Sequence, residues 1–365
     1  MIKKNLYDKS LLVVTPDGYV NSEMKVTKPT DTSFTFSRGD TNVFYVGKDG
    51  YLKNDVSDTN VPRLDYSLGV PAFMIEGSST NLVPYPNIES AGYTSSGNAT
   101  ITENATNSPE NALNASLITG DNSDYVYSAS IAVTQENLYT KSIYVKNINS
   151  SESKIEFENV GYSFNIQWDG ETLSAITNHN NPTKQTVKYD YLKDGWYRVY
   201  VTELATSTSS VVKIYPSIGS SSGTISCYGV QLELGELSSL IDNSVSNTRP
   251  AENNSYSTTS NLPEAGTICC FTGGTSAGVM SVLGESFTPS AEENKIAIAY
   301  SATNLNISLN GRIVVKKEGT YNVSGLSTLS LGQKNDNTNY DNNVFSAFYF
   351  ISEFLIDSEL NDITG

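Results

Sequence analysis

Apolar residues recur at every second position through much of this chain, in short runs. Phe34 and Phe36 share one face of SFTFSRG, and YVYSASIAV and YTKSIYVKN alternate throughout. Phe164, Ile166 and Trp168 alternate in KIEFENVGYSFNIQWDG. Nearer the C-terminus, Ile296, Ile298 and Tyr300 fall on one face, and Leu305, Ile307 and Leu309 on one face of the next run. A period of two marks a strand with one buried side. Asp49-Gly50, Asp169-Gly170 and Asn310-Gly311 punctuate the runs with tight-turn chemistry. The closing DSELNDITG is short for a helix, but its DSEL is suited to cap one. The pattern predicts an all-β protein of many short strands.

The runs group into blocks. Residues 1–86 read as a small N-terminal β module with a connecting seam. The seam, VPRLDYSLGVPAFMIEGSSTNLVPYP, is broken by Pro62, Pro71, Pro84 and Pro86, which exclude a long helix. Its Arg63, Asp65 and Glu76 are interleaved with apolar residues, so they are expected to form buried pairs between modules. Residues 87–248 hold about eight short strands at regular spacing, the pattern of a two-sheet jelly roll. Residues 249–264 are polar and read as a linker. Residues 265–365 form a second sandwich.

Composition sharpens this. The chain has 365 residues, more than one ordinary domain needs, and 23 tyrosines among abundant Asn, Ser, Thr and Gly. Its net charge of −16 repels phosphate backbones, so nucleic acid is not an expected partner. The acidity reads as a solvating surface, with Ca²⁺-binding carboxylates as the other reading. Three cysteines, Cys227, Cys269 and Cys270, make no disulfide framework. The single His179, in a polar turn, rules out sites with several His ligands and is read as non-catalytic. No signal-peptide pattern and no apolar run long enough to span a membrane is expected. FTGGTSAG lacks the GK[ST] of a phosphate loop. Arg38-Gly39-Asp40 spells an attachment tripeptide and is read as a turn in which Gly-Asp follows Arg by chance.

Several phrases resemble one family. SFTFSRGDTNVFYVGKDGYLKNDVSDTNVPRLDY, followed by IEGSSTNLVPYPN, is similar to the N-terminal module of bacteriophage tail and head fibre proteins. YLKDGWYRVYVTEL and CYGVQLELGELSSLIDN resemble strands of jelly rolls related to carbohydrate-binding families. LNGRIVV, LSLG and FYFISEFLIDSELND resemble a laminin-G or concanavalin A-like sandwich. The resemblance implies a virion fibre or decoration protein on the particle exterior, made in the bacterial host cytoplasm and assembled as a homotrimer. Its partners would be other virion proteins and a host-surface or mucus glycan. A purely structural capsid or tail component and a polysaccharide depolymerase are the alternatives.

Sugar binding needs an aromatic platform and nearby polar side chains. Trp168, which precedes a turn, Tyr162 and Tyr125 are the candidate platforms; Tyr127 fits the same pattern, and Trp196 reads as structural. Asn335, Asp336 and Asn337 are the candidate loop for Ca²⁺ or sugar; apart from that Ca²⁺ no cofactor is expected. Hydrolysis of a glycan needs two carboxylates across a cleft. No motif singles out such a pair, so no enzymatic activity is expected.

Overall fold

The structure is a computed structural model that describes residues 6, 9–16, 24–28, 35–41, 43–158, 163–178, 187–219, 221–242, 247–257, 263–273, 280–282, 285–287, 294–323, 328–329 and 343–365. It is all-β, and a short helix, Asp357–Thr364, lies at the C-terminus.

Two antiparallel sheets enclose the first core. A six-stranded sheet runs in the order Thr100–Asn107, Leu113–Gly120, Gly223–Leu234, Leu138–Asn147, Tyr197–Leu204, Lys188–Tyr191. A seven-stranded sheet runs Thr172–Asn178, Phe164–Asp169, Glu152–Glu158, Ser209–Tyr215, Tyr125–Ser128, Tyr93–Ser96, with Ile131–Ala132 also paired to Ser209–Tyr215. The alternation decides which side chains face inward. In Glu152–Glu158, Ile155 and Phe157 are fully buried, while Lys154 and Glu156, which alternate with them, are partly exposed. Ile143, Val145, Val199 and Ile225 of the six-stranded sheet meet Ile155, Phe157, Val212 and Ile214 of the other in one core. Each such side chain contributes about 1.5–3 kcal/mol by leaving water.

The outer face of the six-stranded sheet is covered. Phe44 and Leu52, flanking and within the hairpin Tyr45–Val46/Leu52–Lys53, pack on Ala115, Tyr144, Trp196, Tyr228 and Leu240. The Trp196 indole N–H donates to the carbonyl of Asn107 at 3.1 Å.

A nine-stranded sheet forms the other large layer, and it changes the expected division of the chain. Its last strand, Asn343–Ile351, pairs along one edge with Gly266–Gly273. Along the other edge it pairs with Ser10–Pro16 at residues 348–351 and with Ala72–Ile75 at residues 343–345. Without those two N-terminal strands a whole edge of buried N–H and C=O groups would lack partners. Residues 1–86 are therefore not a self-contained module: their strands complete the C-terminal sheet, and their hairpin packs on the first sandwich. The linker expected at 249–264 is likewise corrected over its first half. Thr248–Arg249 pairs with Ser79–Thr80, and Glu252–Ser257 pairs with Thr35–Arg38 and Thr328–Leu329. Both faces of the large sheet are buried, and the adjacent Cys269 and Cys270 lie as thiols in two different cores on its opposite sides. The helix covers one face through Leu360. It is closed at its start by Ile356 N–H donating to Glu359 Oε2, and at its end by Gly365 N–H donating to the Asn361 carbonyl.

A buried ionic cluster ties these parts together. Arg63 grips Glu252 side-on, with Nε to Oε1 at 2.9 Å and Nη2 to Oε2 at 2.5 Å, and reaches Glu76 Oε2 at 2.7 Å. Its Nη1 donates to the Phe44 carbonyl and to Ser239 Oγ. Arg38 pairs with Glu252 at 3.0 Å and Arg249 with Glu76 at 2.8 Å. All five charged side chains are 5% exposed or less. Burial alone would raise the Glu76 carboxyl; Arg249 and Arg63 beside it, and Ser239, which donates N–H and O–H, outweigh that and hold it at about 2. The expected buried pairing of Arg63 and Glu76 is present. Asp65 instead accepts from the Val46 and Ser67 amides and the Ser67 hydroxyl, and burial raises its carboxyl.

The two kinds of carboxylate give opposite pH responses. Asp65, Glu110 and Asp190 are all raised, chiefly by burial, around the contact between the N-terminal segment and the six-stranded sheet. The folded state binds their protons more readily than the unfolded chain, so they add stability as pH falls toward the ordinary carboxylate range. Glu76 is depressed, so its contribution is present above 4.5 and is lost as pH falls from there toward about 2. Melting temperature is therefore expected to rise on mild acidification and to fall steeply below about 4.5. The Asp190→Asn variant should show a smaller rise; an unchanged rise would mean that this group does not contribute.

Candidate functional site

The outer face of the seven-stranded sheet is built differently from the covered face of its partner. In Tyr125–Ser128, Val126 is fully buried, so Tyr125 and Tyr127 point outward, half-buried. The adjacent strand places Lys213 opposite Tyr127, and Glu152–Glu158 places Lys154 opposite Tyr215. Three tyrosine rings result. Tyr125 lies 5.8 Å from Tyr127 and 4.8 Å from Tyr215 by ring centroid, tilted 34° to the latter. Ser128 fixes the end of the strand by accepting from the Val212 amide.

Charged side chains frame these rings in neutralised pairs. Lys154 Nζ sits 3.7 Å from the Tyr215 ring centroid and 3.3 Å from Glu156 Oε2. Lys213 pairs with Glu158 at 2.8 Å and lies 5.8 Å from the Tyr125 centroid. Burial pulls the Lys213 amine down, but the Glu158 bond outweighs it, so Lys213 stays a cation. Burial and Glu156 raise the Tyr215 hydroxyl, so it stays a phenol and donates to Glu156 at 3.3 Å. The hydroxyls of Tyr125 and Tyr127 make no hydrogen bond among the described residues. Thr94 and Ser96 border them through the register Tyr127↔Thr94 and Tyr125↔Ser96. Such a surface offers flat apolar faces, free phenol donors and side-chain hydroxyls, with its formal charges already paired.

The remaining sequence candidates fall elsewhere. Trp168 is a correction: it is 8% exposed, its indole N–H donates to Ser153 Oγ at 3.0 Å, and its ring meets Tyr197 edge-on at 6.1 Å in the core. The alternation Phe164, Ile166, Trp168 carries it inward, and the turn after it does not reverse that. Tyr162, His179 and the candidate loop Asn335, Asp336 and Asn337 lie outside the described residues. Arg38 of the Arg-Gly-Asp run is buried against Glu252, and a Cβ on Gly39 would stand 2.9 Å from Pro250 Cγ. The arginine of that run therefore belongs to the ionic cluster, while Gly39 is exposed and Asp40 partly exposed.

Sequence reading passed over a second aromatic pair. Tyr189 and Tyr191, 44% and 63% exposed, stand edge-on to Tyr197 at 5.9 and 5.3 Å on the outermost strand of the six-stranded sheet. The KYDY alternation was the available signal. Among the described residues no three His, Cys, Asp or Glu side chains gather to hold a metal, and no helix is long and apolar enough to cross a membrane.

No family model and no curated protein matches the chain. Among solved structures it is similar to the tripod (BppUct-A-L) from the baseplate of bacteriophage Tuc2009, at 12% identity over 82% of this chain and 97% of that one, with a TM-score of 0.23. It is also similar to the adhesin domain of Epf from Streptococcus pyogenes, at 12% identity over 85% and 96%, with a TM-score of 0.17. Likenesses at this level fix no shared function.

Proposed function

We propose that this chain is an attachment protein on the exterior of a bacteriophage particle, binding a host-surface or mucus glycan on the tyrosine face of its first sandwich. The observation that carries the reading is the row Tyr125, Tyr127 and Tyr215 on an open sheet face whose outward residues are all partly exposed. The apolar face of a pyranose stacks on such rings while hydroxyls at the border hold its edges. The paired lysines and glutamates leave the face without a strong bias toward ionic ligands. Support for the virion context is the resemblance of the PRLDY, DGWYRV and GVQLELG phrases to fibre proteins. In that reading residues 87–248 are the carbohydrate-binding-like jelly roll, residues 265–365 the core of a laminin-G-like sandwich, and the fibre is a homotrimer. The chain acts by binding, without catalysis.

One observation favours a structural role beside it. Leu138 and Leu204 are register partners and are 46% and 49% exposed, an apolar spot suited to packing on another virion protein. The intact chain on an array of host-surface and mucus glycans separates the readings. The glycan-binding reading expects saturable binding to a glycan class; an array without binding would leave the structural role in its place. Reducing ends released from host capsule would instead establish a depolymerase.

A further inference from the structure

A cleft of about 460 Å³ opens where the seam crosses one end of the first sandwich. That is within the size range of small-molecule sites. Ser78, Ser79 and Thr80 line one side and Thr134 and Tyr139 another. Leu82, Val133 and Leu234 supply an apolar wall, and Leu234 is 59% exposed at the rim. From this lining we infer that the cleft is a binding site for a small uncharged ligand bearing hydroxyls, such as one neutral sugar unit.

The chemistry of the lining sets the ligand class. None of the described residues that line the cleft carries a formal charge. An ion entering it would leave water without a counter-charge, which is costly. One carboxylate, Glu233, is bonded to the lining residue Ser79 and is fully buried. It already accepts four hydrogen bonds, from Ser79 Oγ, Gln231 Nε2 and the Ser238 amide and hydroxyl, so it is saturated. Because Ser79 donates its hydroxyl proton to Glu233, its oxygen is left to a ligand only as an acceptor. Tyr139 has the opposite polarity: its oxygen accepts from the Thr134 amide at 2.9 Å, which leaves its proton for a ligand. An acceptor and a donor across an apolar wall match a hydroxylated ring with one apolar face. The site is separate from the tyrosine face and does not rest on the reading of that face.

The test uses the intact chain with methyl-labelled Leu and Val. The probes are the methyl glycosides of glucose, galactose and N-acetylglucosamine, with that of glucuronic acid as the charged control. At least one neutral probe should shift the Leu82, Val133 and Leu234 methyl resonances saturably. Glucuronide should bind roughly tenfold more weakly or worse. Ala132→Trp, at an exposed rim position, should abolish the shifts while melting as wild type does. Thr134→Lys should narrow or reverse the neutral-over-acid preference. Failure of all three neutral probes, equal binding of the glucuronide, or shifts that survive Ala132→Trp would overturn the inference. Shifts that vanish in Tyr125→Ala would assign the effect to the tyrosine face and would overturn it too.

Discussion

Glu252→Ala is expected to destabilise the protein by about 3–5 kcal/mol, a large part of a typical folding free energy. Glu252 accepts from Arg63 through both oxygens, from Arg38 through Oε1 and from the Glu76 amide through Oε2. Its removal leaves three fully buried guanidinium groups against one carboxylate, Glu76. The formal balance of the cluster, three Arg and two Glu, goes from +1 to +2 with no water to disperse it. The loss should act at the joint between parts of the fold. Arg38 belongs to Thr35–Arg38, Arg63 to the strand next to Ala72–Ile75, and Arg249 to the strand paired with the seam. Denaturant unfolding should show the loss, and limited proteolysis should show new cuts between residues 55 and 90. Arg63→Ala should give the same cuts, because it removes the side chain that bridges Glu76 and Glu252 and that donates to the Phe44 carbonyl, leaving the two carboxylates each with one arginine, Arg249 and Arg38. A Glu252→Ala protein as stable as wild type would mean that the cluster is not what holds these segments.

Trp196→Ala is expected to cost a further 3–5 kcal/mol or so through the cavity it leaves. The ring is 2% exposed and forms the floor on which Phe44 and Leu52 sit. Its loss also strands the Asn107 carbonyl that it caps. Unlike Glu252→Ala, this change should act locally: hydrogen exchange should accelerate in the hairpin 45–53 while the nine-stranded sheet stays protected. Uniform acceleration across all sheets would contradict this. Because the hairpin covers the six-stranded sheet and not the tyrosine face, glycan affinity should not change.

Much of the fold was legible in the sequence because it rests on local alternation. Ile296, Ile298 and Tyr300 point where their period placed them, and Tyr125 and Tyr127 face outward because Val126 must face in. Arg63 and Glu76 were legible as buried partners because charges inside an apolar, proline-broken run have few other fates. What was not legible depends on long-range pairing. Nothing local in LLVVTP says that it will hydrogen-bond to FYFI near the C-terminus, so residues 1–86 read as a module of their own. Glu252 sits in ENNSYS, whose polarity reads as a linker; its strand pairs with Thr35–Arg38, and its carboxylate meets Arg38 and Arg63, 214 and 189 residues away in sequence. Trp168 was misplaced by weighting the Asp169-Gly170 turn over the alternation that precedes it. At the candidate site, Tyr125 was readable from period alone. Tyr215 was not, because its place beside Tyr125 is set by two strand registers.

Glycan binding on the tyrosine face is tested most directly by one comparison. Take the glycan that binds best on the array, and measure its affinity for wild type, Tyr125→Ala and Tyr191→Ala by calorimetry. Tyr125 is a central ring of the face, and losing such an anchor is expected to cost about 2 kcal/mol, a roughly thirtyfold weaker Kd, with melting temperature nearly unchanged. Tyr191→Ala, which removes an exposed ring at the sheet edge away from this face, should bind as wild type. Equal affinity of Tyr125→Ala and wild type, or loss in Tyr191→Ala alone, would contradict the account.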